Sequence, residues 1–257
     1  MATASSVTYP ADIWLPSSIY LKPQKGFQST LGYFRDFHEA SLSSYADFYY
    51  KESYNQIELL KGILNDFSDN LFEQSIVSGK GRSFGMELFL KKNTGALTGW
   101  VGYSLSRHTR EFDAIEEGKI YPANYDRRHD AKLAVMYKFN PKWSVSALFI
   151  FASGKALTIP DEKYLIDGQI ISHHTRINSF RMPAYHRLDI SATRSLKKKG
   201  RFESELIFSV FNLYNRPNPF YLYYAVTGDV EHYSLSVEAR QICVFPILPS
   251  VSWSFKF

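Results

Sequence analysis

The chain has 257 residues, enough for one large domain or two small ones, and its net charge of +5 is scattered apart from Lys197-Lys198-Lys199, which argues against a nucleic-acid footprint. Aromatics reach 16%, from 18 Tyr and 20 Phe, while the mean hydropathy is −0.25 and no apolar run is long enough for a transmembrane helix. The lone Cys243 excludes an internal disulfide and a Cys-based zinc site. A barrel wall stays open, because lipid-facing and lumen-facing residues alternate along it and average to a soluble-looking composition.

The opening residues carry no early Lys or Arg and no apolar stretch, so they do not read as a secretory signal; a barrel reading then requires the chain to begin part-way through a longer protein. Residues 1–25, with Pro10, Pro16 and Pro23, read as an irregular, extracellular loop segment. A strand is expected over Gly26–Phe37, with Phe27, Leu31, Tyr33 and Phe37 on one face, and a second from Leu42 to Lys51 after a turn at His38-Glu39. Residues 52–80 read as a long loop into which the second strand could extend, with room for a short helix. A hairpin follows: Phe84, Met86, Leu88 and Leu90, turn chemistry at Asn93-Thr94-Gly95, then Leu97, Val101, Tyr103 and Leu105. After a polar segment from Arg107 to Arg127, His129–Phe139 and Trp143–Phe151 form strands about an Asn140-Pro141-Lys142 turn. The segment Gly154–Pro183 is again long. Strands at Arg187–Thr193 and Phe202–Val210 flank a Lys197–Gly200 turn, and a third long segment runs from Tyr214 to about Phe245.

The chain closes on strict alternation: Pro249, Val251, Trp253, Phe255 and Phe257 against Ser250, Ser252, Ser254 and Lys256. A soluble strand edge of this kind would template pairing with other chains, whereas a barrel strand meets lipid on one face. Connections alternate short and long, the habit of outer-membrane walls with tight periplasmic turns and long extracellular loops. The count is about nine strands and the first starts outside. The fold expected is all-β, an antiparallel transmembrane β-barrel represented in part.

Several stretches carry a family resemblance: Tyr121–Asp130 opening a strand, Ser179–Ser191, Val210–Pro219, Ile13–Ser18 with Lys22–Gln24, and Gly79–Glu87. In that order they resemble TonB-dependent outer-membrane receptors of the Bacteroidetes type. The resemblance implies a 22-stranded barrel with an N-terminal plug and a periplasmic TonB box. Residues 1–257 would then be roughly its last nine strands, without the plug, the TonB box or the first half of the wall. Trp253, Phe255 and Phe257 match the closing strand, which resembles the signal read by the barrel-assembly machinery. The implied partners are outer-membrane lipid, that machinery, the TonB system through the N-terminal part, and a scarce ligand, whether a siderophore, another metal chelate, a glycan or a peptide. The implied location is the outer membrane.

No covalent chemistry is expected. Asp126, Arg127, Arg128, His129 and Asp130 resemble an acid–base cluster, but Arg128 and Asp130 fall on the lumen face, where charges pair across strands, and His129 on the outward face near the rim. Tyr185, His186, Arg187 and Asp189 also suggest charge pairing inside a barrel. His173-His174 has no acidic or Cys partner at ligand spacing, no G-x-S-x-G context surrounds a Ser, and the Gly79–Gly81 stretch lacks the Walker spacing. Catalytic, cofactor and metal sites are therefore none. The ligand-facing candidates are loop residues Tyr121, Tyr125, His173, Arg176, Tyr221 and Tyr223; the same aromatics serve equally well to brace the loops. A small barrel acting as adhesin or porin is the alternative, with an outer-membrane enzyme and a soluble β-sandwich behind it.

Overall fold

The computed structural model of the chain describes residues 2–4, 13–19, 21–59, 76–159, 162–166, 169–173, 176–199, 202–227 and 236–256. Nine long strands build one antiparallel sheet: β1 (Lys25–Phe37), β2 (Leu42–Leu59), β3 (Ile76–Lys92), β4 (Leu97–Glu111), β5 (His129–Asn140), β6 (Trp143–Ala152), β7 (Tyr185–Lys199), β8 (Phe202–Phe211) and β9 (Leu248–Lys256). Each pairs with its neighbour in the chain, from β1 at one edge to β9 at the other, and the two-residue strand Tyr121–Pro122 adds to β4. The sheet is an open part of a barrel wall: among the described residues β1 and β9 do not pair with each other.

Register decides what each face meets. Residues directly opposite in an antiparallel pair share a face. Val251 stands opposite Phe208, Phe208 opposite Ala192, Ala192 opposite Val145, and Val145 opposite Tyr137. Farther along, Leu133, Val101, Leu90 and then Leu88, Ala46 and Tyr33 continue the same side. Every strand lends its apolar alternation to that side. Leu31 is 74% exposed, Val251 65% and Trp253 63%, an apolar surface far too large to be left to water. On β6 the run from Trp143 to Phe151 extends about 26 Å at roughly 3.3 Å per residue, enough when tilted to cover most of a lipid band about 25 Å tall. The opposite face carries Asp47, Glu87, Ser104 and Asp130 at successive register positions of β2 to β5, and Ser146, Ser191, Ser209 and Ser250 at those of β6 to β9, the make-up of a wet lumen.

The tight turns lie at residues 38–41, 93–96 and 141–142. Asn140 Oδ1 accepts the backbone N–H of Lys142 at 2.8 Å and of Trp143 at 3.0 Å, so one side chain reverses the chain around Pro141. Gly95 takes φ +105°, a conformation that favours glycine. The expected Lys197–Gly200 turn sits later than the sequence suggests: the β7–β8 ladder runs out to Lys199 opposite Phe202 after a bulge between Ser195 and Lys197. Two more bulges shift register at Tyr54/Gln56 and Lys138/Asn140. An aromatic girdle marks this short-turn end on the lipid side. Tyr137 and Phe139 meet edge to face at 4.8 Å, Trp253 and Phe255 lie tilted at 5.4 Å, and the Arg35 and Arg194 guanidiniums lie over Phe37 and Trp143. Phe257 lies outside the described residues.

β2 extends into the expected 52–80 loop as far as Leu59 and β3 begins at Ile76, with residues 60–75 outside the described part. Two hairpins stand in segments read as loops, Glu162–Ile166 with Gln169–His173 and Tyr221–Thr227 with Ser236–Ile242. Within the first 25 residues Ala2–Ala4 pairs with Ile13–Leu15. The largest fully buried side chains among the described residues, Phe112, Asp126 and Asn212, lie in the long connections and not on the wall strands.

Candidate functional site

The long-loop end of the wall carries the densest side-chain chemistry. On its lumen face Gly79, Gly81 and Ser83 of β3 stand beside Arg110 and His108 of β4, and Glu58 of β2 ion-pairs with Arg110. His108 Nδ1 lies 2.9 Å from Ser83 Oγ. From Glu111 the chain folds inward: Phe112, on the same side as Arg110, packs with Ile115 and Tyr121 against Val77 and Ile177. The sequence permits this because Gly79 is bare. A Cβ there would stand 2.5 Å from the Phe112 ring and 2.4 Å from the Glu111 carbonyl.

Asp126 locks the fold of this loop. Its carboxylate accepts the His108 backbone N–H at 2.6 Å and ion-pairs with Arg181 from the next long connection. Glu116 Oε1 accepts the Ile177 N–H, Asn178 Nδ2 donates to the Pro122 carbonyl at 2.8 Å, and Thr158 Oγ1 takes the Asn178 N–H at 2.9 Å. Two extracellular loops are thereby tied into one body over the lumen. Exposed Glu117 and Lys119 pair at 2.6 Å, which holds the Glu117 carboxyl below its usual range and the Lys119 amine above it.

The sequence candidates separate by environment. Tyr121 is buried in the loop core; burial, with Glu58 nearby, pushes its phenol well above the usual range, and its oxygen has no hydrogen-bond partner among the described residues. Tyr125, 54% exposed, rests between the His108 ring at 5.4 Å and the Arg110 guanidinium at 5.8 Å. Arg176 is exposed in the connection that carries Ile177, and Tyr221 and Tyr223 are exposed on their hairpin. His173 ends its strand opposite Glu162; its side chain is outside the described residues, as is His174. Among the described residues no three His, Cys, Asp or Glu side chains gather as metal ligands would.

The charge clusters resolve into structural roles. Asp130 does sit on the lumen face, but its partner Lys132, at 3.1 Å, belongs to its own strand and not to a neighbouring one. His129 does face outward, with Nδ1 2.8 Å from Tyr103 Oη. Tyr185, Arg187 and Asp189 share the lumen side: Arg187 pairs with Asp189 at 2.9 Å and lies 3.9 Å over the Phe211 ring. His186 faces the other way and meets Tyr214 Oη at 2.7 Å, because alternation puts it on the lipid side. Asn212 escaped the sequence reading altogether. At φ +53° and fully buried, it donates to the Arg216 and Phe245 carbonyls and accepts the Arg216 N–H, closing β8 onto the approach to β9. The repeated Asn at 212, 215 and 218 was the available signal, since Asn tolerates the left-handed region and binds backbone.

Residues 3–215 match the family described as "TonB dependent receptor-like, beta-barrel". The chain belongs to this family. It forms part of the barrel wall of an outer-membrane receptor of this family. No curated protein matches it. Among solved structures, the ferripyoverdine receptor of the outer membrane of Pseudomonas aeruginosa is similar at 13% identity, TM-score 0.57, over 92% of this chain and 27% of that one. The ferric-catecholate import receptor Fiu from K12 E. coli is similar at 15% identity, TM-score 0.55, over 93% and 28%. The unliganded ferric citrate transporter FecA is similar at 14%, TM-score 0.54, over 91% and 31%. The receptor chain thus spans under a third of the length of these structures.

Proposed function

We propose that this chain supplies the last nine wall strands of a receptor that captures a ferric chelate outside the cell and passes it into the periplasm with energy from the TonB system. The observation that carries the reading is the inward-folded loop body, which holds Tyr125 at the lumen-side mouth between His108 and Arg110. An aromatic ring backed by a guanidinium suits a flat, anionic chelate. The similar solved structures support iron as the cargo, since each is named for a ferric chelate. Arg176, Tyr221, Tyr223 and His173 are the further contacts proposed from the loops, with Tyr121 bracing the loop behind them. Trp253, Phe255 and Phe257 serve as the barrel-assembly signal.

Radioiron uptake from a panel of ferric siderophores, with and without the gene, tests the proposal. Loss of uptake of one chelate is expected, with the remainder abolished by a protonophore. Tyr125→Ala should raise the half-saturating concentration about tenfold, on the order of one lost aromatic contact, at unchanged receptor abundance. Unchanged uptake of every ferric chelate, beside a growth defect on a glycan or peptide, would assign the receptor another cargo.

A further inference from the structure

The lipid side of the wall is not uniformly bulky. Where β5 to β9 run side by side, Val145, Ala147, Ile190 and Ala192 form a low floor between Tyr137 on one flank and Phe208 on the other. The depression has a volume of about 790 Å³ and is almost wholly apolar. One register row toward the short-turn end the row reads Trp143, Arg194, Leu206, Trp253. Arg194 is exposed, lies 5.5 Å over the Trp143 ring, and has no carboxylate partner among the described residues. The nearby acids do not serve it, because Glu203 and Glu205 belong to the serine side of β8. The ladder also sets Lys197, Lys198 and Lys199 at this same end, and Lys142 occupies the adjoining turn.

A cation on a lipid-facing position is costly at mid-membrane and tolerated near the interface. Arg194 stands at the interface, directly below an apolar slot, at the end of the wall whose turn holds exposed Lys142. We infer that this feature is a binding site for one anionic glycerophospholipid of the periplasmic leaflet. One of its acyl chains lies along the Ala147–Ala192 floor, and its phosphate is held by Arg194 beside the Trp143 ring. Arg35, stacked over Phe37 on β1, has the same chemistry without the depression and serves as the internal comparison. The inference rests on the outer-membrane placement of the wall and not on the proposed cargo.

The test uses the intact receptor in detergent, offered equimolar phosphatidylglycerol and phosphatidylcholine, with retained lipid counted by native mass spectrometry. Phosphatidylglycerol should be retained in preference, and Arg194→Gln should lower that preference about fivefold, the weight of one basic residue at an anionic surface. Ala192→Phe, which fills the slot, should reduce retention of both lipids, and Arg35→Gln should leave both unchanged. Heat-modifiable migration confirms folding of each variant; Arg194→Gln alters only an exposed side chain and carries the test if Ala192→Phe fails to assemble. Equal retention of the two lipids, no effect of Arg194→Gln, or an equal effect of Arg35→Gln would overturn the inference and leave a non-specific lipid annulus.

Discussion

Asp126 offers the sharpest test of how the mouth is held. Its side chain is 1% exposed and that of Arg181 38%. Asp126→Ala removes the acceptor of the His108 N–H, a bond to a charged group worth about 1.5–3 kcal/mol. It also removes the partner of Arg181, but water reaches that guanidinium, so the range of about 3–5 kcal/mol for a broken buried pair is an upper bound. A total near 3 kcal/mol follows, about a hundredfold more frequent local opening. Hydrogen exchange of residues 108–126 and 177–182 should quicken by that factor while the β6 and β8 amides stay protected. Asp126→Asn keeps an acceptor for His108 and should cost about half as much. Arg181→Ala strands the carboxylate, so the double variant Asp126→Ala/Arg181→Ala should cost less than the two singles summed, by about 1 kcal/mol or more. Additive effects, or unchanged exchange in both segments, would refute the view that this pair ties the loops.

Three further outcomes follow from the same geometry. Asn212→Ala should destabilise the receptor by about 2–4 kcal/mol in denaturant titrations, and Asn212→Gly by less, because glycine relieves the left-handed backbone but restores none of the three hydrogen bonds. Tyr121→Phe should stabilise the loop body by about 1 kcal/mol at pH 8, since it deletes a buried unpartnered hydroxyl. In the native protein the unfolded loop releases the phenol proton near pH 10 and the packed loop only higher. The packing contribution is therefore complete below about pH 10 and is lost as pH rises through the raised value; midpoints at pH 9 and 11 should diverge for the native protein more than for Tyr121→Phe. Gly79→Val should lever Phe112 off the wall and expose the 112–121 segment to protease in intact cells, leaving barrel assembly unchanged.

The wall was readable because two solvents impose a period of two on it. Leu88, Val101, Leu133 and Val145 must meet lipid while their neighbours meet water, and no other arrangement satisfies both. The hairpins at 162–173 and 221–242 stand outside the bilayer, where no such contrast exists, and their alternation blended into loop composition. At the outer ends of β2 and β3 the alternation is broken instead, by the extra residue between Tyr54 and Gln56 on one strand and by Gly79 and Gly81 on the other. Asp126 and Arg181 are 55 residues apart and joined only by folding, so nothing local announces their pairing. The charged cluster around Asp126 was legible as structural, but its partner was not. The turn after β7 was misplaced because Lys-Lys-Lys-Gly looks like a turn, whereas the bulge at Leu196 lets the strand continue.

The three bulges give the bilayer the character of a reading frame. One residue added within a strand sends every later side chain to the wrong solvent. Asn55, Phe139 and Leu196 are single extra residues of this kind, and each stands at or beyond the level of the rim or girdle, where a frame shift strands no apolar side chain in the lumen. Changes in length should therefore be admitted in twos between the girdles, singly at these three positions, and freely in the loops. The long loops can lengthen and shorten without renegotiating the parts of the wall that meet the membrane.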